Sequence, residues 1–192
     1  ENKAVGRWAH AVEVLLRSGQ RMSEITELVE AEVNDGIMTL PKERSKGGRT
    51  HTLPLPAQVM ALLEGVERPD ANSERYFQRL GQSERNIAII RAKVKEIAKR
   101  DVPHWSLHSL RKTFDTVMTD MWDEEIDRPV AEEVVIEAIL NHSLKGTKKH
   151  YNFATMVRNK QRVLAWWNEY LDGLMVTTTK DVKFSTSVAT PS

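Results

Sequence analysis

Leu107-His108-Ser109-Leu110-Arg111-Lys112-Thr113-Phe114 is the stretch around which the rest of the chain arranges itself. Read as a helix, it can turn Leu107, Leu110 and Phe114 into a core and sets His108 and Arg111, three residues apart, on one face. An imidazole can move a proton near neutral pH, and a guanidinium can hold a phosphate or carboxylate through two bonds. Taken alone, such a pair is more often a helix-start histidine beside a surface arginine in an ordinary ion pair. The flanking sequence decides between the two.

Downstream, the helix from His108 is expected to run to about Trp122, followed by an acidic, proline-ended loop from Asp123 to Pro129. A further helix, Glu132 to Leu140, has Val134, Val135, Ala138 and Ile139 as its apolar positions. It ends at Asn141-His142-Ser143, where Asn141 suits a left-handed C-terminal cap. The basic run Lys145-Gly146-Thr147-Lys148-Lys149-His150-Tyr151 leads into a last amphipathic helix over 153–174, with Phe153, Met156, Leu164, Trp167 and Leu171 inward. Met175 to Ser192, Ser/Thr-rich at its end, reads as a flexible or partner-ordered tail.

Upstream, Glu84 to Arg100 has helical spacing at Ile87, Ile90, Val94 and Ile97, residues 65–84 read as polar surface loop, and Pro56 opens a helix through Leu62-Leu63. Between Glu32 and Leu55 the period changes. Val33 and Ile37-Met38-Thr39-Leu40 flank the hairpin signal Asn34-Asp35-Gly36, and Thr50 to Leu55 alternates as a third strand that Pro54 ends or places at an edge. The loop between, Glu43-Arg44-Ser45-Lys46-Gly47-Gly48-Arg49, puts Lys46 at a mobile tip. At the start, residues 5–17 form a helix stopped by Ser18-Gly19, Arg21 sits in the turn, and Ser23-Glu24 open a short helix through Leu28 and Val29. The fold class is therefore α+β, mainly α-helical with a small three-stranded antiparallel sheet.

The 192 residues, 40% hydrophobic and 29% charged, suit one soluble domain with a tail. No stretch is long and apolar enough to span a membrane as a helix, and no secretory signal pattern is seen. The absence of cysteine rules out disulfides and thiolate zinc sites and fits a reducing, cytoplasmic setting. Net charge is only +1, but bases gather over 42–49 and 91–100 while acids gather over 120–137, a one-sided field that can hold a polyanion. The helix pattern begins almost at Glu1, so a catalytic domain at 1–174 and a tail at 175–192 are expected, with an N-terminal DNA-binding domain lying outside this chain.

Arg21, Lys46, His108, Arg111, His142 and Tyr151 supply two guanidinium groups, an ammonium, two imidazoles and a phenol. Phosphoryl transfer to a tyrosine needs this set. Arginine forks neutralise the phosphate oxygens, the phenol needs a base or a positive field to attack, and the departing oxygen needs a proton that a lysine can deliver. A zinc pair at His104 and His108 is the weaker reading, because Pro103 and Trp105 break helical spacing at His104 and Arg111 would repel a cation.

The order of motifs resembles the catalytic domain of tyrosine recombinases, the phage integrases, and in particular the prophage and satellite-phage type. The matching stretches are Ser18-Gly19-Gln20-Arg21-Met22-Ser23-Glu24-Ile25, Leu40 to Lys46 with His51-Thr52-Leu53-Pro54-Leu55, His108 to Thr113, Ile139-Leu140-Asn141-His142-Ser143 and His150-Tyr151-Asn152, with Trp166-Trp167 also similar. Asn141 stands where the family usually has glycine. The resemblance implies that Arg21 and Arg111 clamp the scissile phosphate and His142 hydrogen-bonds it, while Lys46 protonates the leaving 5′ oxygen. It further implies that His108 assists proton transfer at Tyr151, the nucleophile, and that Glu24 orients the group from behind. Arg44, Lys46, Arg49, Lys112 and Lys148 are expected to meet DNA. A 3′-phosphotyrosyl link keeps the phosphodiester energy, so no metal, ATP or other cofactor is expected. The implied partners are double-stranded DNA attachment sites and other protomers in a synaptic complex, the tail exchanging between them and the free domain monomeric. The implied process is integration or excision of a mobile element. Alternatives are a non-catalytic DNA-binding or synapsis module and relaxation by a type IB topoisomerase.

Overall fold

The structure, a computed structural model, describes residues 3–68, 70, 72–78, 80, 83–123, 127–142 and 152–177. Its elements are α1 (Lys3–Ser18), α2 (Met22–Thr26), a 3₁₀ turn (Glu30–Glu32), β1 (Val33–Asn34), β2 (Ile37–Leu40), β3 (His51–Pro54), α3 (Ala57–Glu64), α4 (Ser83–Ala98), α5 (Leu107–Asp120), β4 (Trp122–Asp123), β5 (Arg128–Pro129), α6 (Glu133–Ile139) and α7 (Phe153–Thr177). The fold is mainly helical with a three-stranded antiparallel sheet in the order β1-β2-β3, as expected. A two-stranded sheet, β4-β5, was not anticipated.

α1 is the central helix. Its stripe Trp8, Ala11, Val14 and Leu15 is buried, and it packs against α3, α4, α5 and α7. Its C-terminal end is tied to α7 by directional bonds: Trp167 Nε1 donates to Leu16 O (2.9 Å) and Asn168 Nδ2 to Arg17 O (3.1 Å), while the buried Arg17 pairs with Glu13 and Asp172 (2.9 Å each). Phe114 of α5 meets Trp167 edge to face, with ring centroids 5.5 Å apart and planes at 89°. Truncating either of these fully buried rings to alanine belongs to the class costing about 3–5 kcal/mol.

The hairpin closes with Asp35 and Gly36 both at positive φ (49° and 71°), as a two-residue turn matched to strand twist requires, and Asn34 pairs with Ile37 inside the ladder. Along β2 and β3 the alternation buries Met38, Leu40, His51 and Leu53, and β3 packs on α7. The sheet thereby fixes both ends of the loop that carries Lys46.

Several boundaries differ from the sequence reading. α2 stops at Thr26 rather than running through Val29, because Leu28 and Val29 are drawn into pairing with residues 74–76: Glu30 N donates to Glu74 O (2.8 Å) and Tyr76 N to Leu28 O (3.1 Å). The same pairing carries Tyr76 and Phe77 into the core, so 65–84 is not merely surface loop. α5 ends at Asp120. Trp122 then enters the β4-β5 hairpin and donates to Asp127 Oδ1 (3.3 Å), with Asp127 in the left-handed region (φ 49°). Val94 and Ile97 of the predicted α4 stripe are exposed, as is Phe153 at the head of α7. α7 continues past 174 to Thr177. Among the described residues, no helix is long and apolar enough to cross a membrane.

Candidate active site

The α1–α2 turn begins with Gly19 at φ 66°, a conformation in which a Cβ would meet the Phe114 ring at 3.1 Å. Glycine is required here on both counts. The turn delivers Arg21 to the N-terminal end of α2, where Glu24 reaches back to it: Glu24 accepts from Arg21 N (3.0 Å) and from Nη1 (3.3 Å). Glu24 is almost wholly buried and Arg21 is half-buried, so the carboxylate holds the guanidinium from behind and leaves its outer edge toward solvent.

Arg111 approaches from α5, which starts where Ser106 accepts from Ser109 N (3.1 Å) and Ser109 Oγ returns the bond to Ser106 N (3.1 Å). Its guanidinium is buried and joins three elements. Nη1 donates to Gly19 O (2.9 Å), and Nη2 donates to Leu140 O and lies 3.0 Å from His142 Nε2. Arg21 Nη1 also reaches Leu140 O, at 3.5 Å, so one carbonyl sits between two cations. Burial, then the charge of Arg21, pulls the Arg111 pKa down to about 10, against the counter-pull of Glu24, Asp115 and Glu137. The group stays charged at neutral pH.

His142 is placed by the end of α6. Asn141 takes the left-handed conformation (φ 51°), His142 N donates to Glu137 O (2.9 Å) and Asn141 N to Ala138 O (3.4 Å). These two bonds around a left-handed residue are the Schellman cap, and asparagine serves where glycine is commoner. The Asn141 side chain adds a bond that glycine has no means to make, Nδ2 to Ser45 Oγ (2.7 Å), and Arg49 Nη2 donates to His142 O (3.0 Å). Residues on either side of Lys46 are thus anchored to the α6 cap, and Lys46 itself is exposed between them.

Arg21, Glu24, Arg111 and His142 are therefore brought together, and the Lys46 loop is tied beside them. His108 is exposed one turn before Arg111 on α5, and Lys112 is exposed next to it. Arg44, expected at DNA, spends its guanidinium inside the protein on Glu24 O (3.1 Å), Glu27 O (2.7 Å) and Glu32 (2.7 Å). His104 precedes α5 and so does not share a helix face with His108. Tyr151 and Lys148 lie outside the described residues.

Four residues to which sequence reasoning gave no role support this group. His51 Nε2–H donates to Gln20 Oε1 (2.9 Å), and Gln20 Nε2 bonds Ser18 O (2.8 Å) and Ile139 O (3.0 Å), linking β3 to the Arg21 turn and to α6. Burial, with Lys160, Arg111, Arg21 and Arg49 around it, pushes His51 down to about 3, so the ring is neutral. Lys160, buried on α7 and donating to Thr52 O (2.8 Å), is lowered by burial to about 8. Glu137 accepts at Oε2 from His142 Nδ1 (3.1 Å).

Two guanidiniums and an imidazole gathered at one place are groups that can hold a phosphate-like anion. The model of the phage integrase family matches residues 2–158, and the chain belongs to that family. Its members are tyrosine recombinases, enzymes of site-specific recombination that cleave and rejoin DNA through a tyrosine, and DNA is the substrate. No curated protein and no solved structure matches the chain significantly.

Proposed function

We propose that this chain is the catalytic domain of an integrase that inserts or excises a mobile element, with Tyr151 as nucleophile. The observation that supports the assignment best is the joining of the three motifs by Arg111, whose guanidinium contacts Gly19 O beside Arg21, Leu140 O and His142. Arg21 and Arg111 repel each other, Glu24, Asp115 and Glu137 offset part of that repulsion at Arg111, and an anion between the two guanidiniums would offset more of it.

In the proposed reaction the scissile phosphate enters between Arg21 and Arg111, with His142 hydrogen-bonded to it. The Tyr151 hydroxyl gives up its proton with help from His108 and its oxygen attacks phosphorus. The P–O5′ bond breaks and Lys46 protonates the leaving 5′ oxygen, giving a 3′-phosphotyrosyl diester. One diester replaces another, so a new 5′ hydroxyl can reverse the step without an external energy source. Arg49 and Lys112 flank the site for backbone contacts, which position DNA without reading its sequence. Protomers assemble on attachment sites, the free chain is a monomer, and the reaction takes place in the cytoplasm.

Covalent trapping tests the proposal. The chain and its Tyr151→Phe variant are mixed with supercoiled plasmid, without ATP or added metal, and quenched with denaturant. Protein-linked nicked DNA is expected with Tyr151 and none with Phe. An adduct that persists in the Phe variant overturns the nucleophile assignment.

A further inference from the structure

We propose that Glu137 is the positioning residue of His142, fixing which ring nitrogen carries the proton and which faces the phosphate. The inference rests on the proposed role of His142 at the phosphate. Nε2 of that ring lies 3.0 Å from Arg111 Nη2, and a guanidinium has only donors, so Nε2 accepts. The ring proton is then on Nδ1, which lies 3.1 Å from Glu137 Oε2 and donates to it. A lone imidazole can choose either tautomer. Here a donor on one side and a carboxylate on the other leave one choice.

The backbone makes the same pairing. In a Schellman cap the residue after the left-handed position folds back over the third residue from the helix end, and an apolar contact usually joins the two. Those positions are His142 and Glu137, already linked by His142 N to Glu137 O at 2.9 Å. A carboxylate–imidazole bond replaces the apolar contact. Glu137 therefore holds both the backbone and the ring of His142. With Nδ1–H held by Glu137, the ring is oriented with Nε2 toward Arg111, where a phosphate held by that guanidinium comes to lie. Phosphate oxygens only accept, so Nε2 bonds the phosphate with a second proton on the ring, and Glu137 then faces an imidazolium. The charged groups around the ring are Arg111 from α5, Glu137 from α6, Arg49 from the sheet loop, and Lys160 from α7 in the cleft lined by His142.

The test compares Glu137→Ala, Glu137→Gln, His142→Ala and the Glu137→Ala/His142→Ala double variant in the intact chain. Adduct formation on saturating supercoiled plasmid and plasmid affinity are measured separately. Glu137→Ala is expected to slow adduct formation about tenfold or more at unchanged affinity, by analogy with the loss of a partner that orients a metal-bound imidazole. Glu137→Gln, whose amide oxygen still accepts from Nδ1–H, should restore most of the rate. In the His142→Ala background, Glu137→Ala should add nothing. A wild-type rate for Glu137→Ala beside a slowed His142→Ala overturns the proposal alone, as does an equal loss in both backgrounds. A wild-type rate for His142→Ala removes the reading beneath it. Ring-nitrogen NMR of the free chain supplies a readout without turnover: the His142 proton is expected on Nδ1, and a proton found on Nε2 overturns the proposal.

Discussion

His51 shows how much a single buried ring can carry. It is neutral, donates one hydrogen bond, and through Gln20 fixes two backbone carbonyls that flank the arginine turn. Its folded pKa of about 3 lies below the ordinary histidine value of 6.5, so the unfolded chain takes up a proton that the folded chain refuses. The stabilisation is complete above pH 6.5 and is lost as pH falls from there toward 3, by up to about 1.4 kcal/mol per pH unit. Carboxylates titrate in the same range, so a variant isolates the effect. His51→Gln, which can still donate to Gln20, should show a shallower fall in denaturant stability between pH 7 and about 4.5 than the parent. Parallel curves would mean that His51 takes no part in acid unfolding.

Elements, rather than residues, decide what Asn141 is for. The left-handed cap of α6 needs a residue that tolerates positive φ, and the tie to Ser45 needs a side chain. Asn141→Gly meets the first need and not the second. It should cost roughly 1 kcal/mol or less while freeing the 41–49 loop, seen as faster amide exchange there. Asn141→Val meets neither, and a β-branched residue forced to positive φ should cost more, on the order of 1–3 kcal/mol. Equal stability for the two variants would show that the cap is not strained by β-branching. The cap, the Asp35-Gly36 turn and the arginine turn at Gly19 were legible in the sequence because each rests on local backbone preferences. His51 was half legible: strand alternation puts it on the same face as Leu53, but nothing local says that a polar ring on that face is buried. Glu137 was not legible, since residues five apart share no helix face and meet His142 only because the chain reverses. The pairing of Leu28 and Val29 with residues 74–76, which shortens α2, links segments more than forty residues apart and left no local trace.

At the scale of the molecule, the sequence gathers basic and acidic residues into different segments, while the single net charge says little. The proposed assembly on DNA also belongs to this scale. Since the described part of α7 runs to Thr177, a deletion of 178–192 keeps every residue of Phe153–Thr177. If the tail couples protomers, this deletion should weaken self-association on DNA in sedimentation and slow adduct formation while the free chain keeps its stability. Unchanged sedimentation and cleavage would refute the coupling.

α7 also bears on how such an assembly reaches the chemistry. It packs on α6, on β3 and on α1, the elements that flank His142, the lysine loop and the arginine turn. Its bonds to the end of α1, from Trp167 to Leu16 O and from Asn168 to Arg17 O, are directional and spaced one residue apart. A greased contact lets a helix creep by fractions of an ångström, whereas a pair of aimed bonds breaks together if the helix slips. α7 is thus keyed to α1 at Leu16 and Arg17, just ahead of the arginine turn, and a shift along its axis would break both bonds.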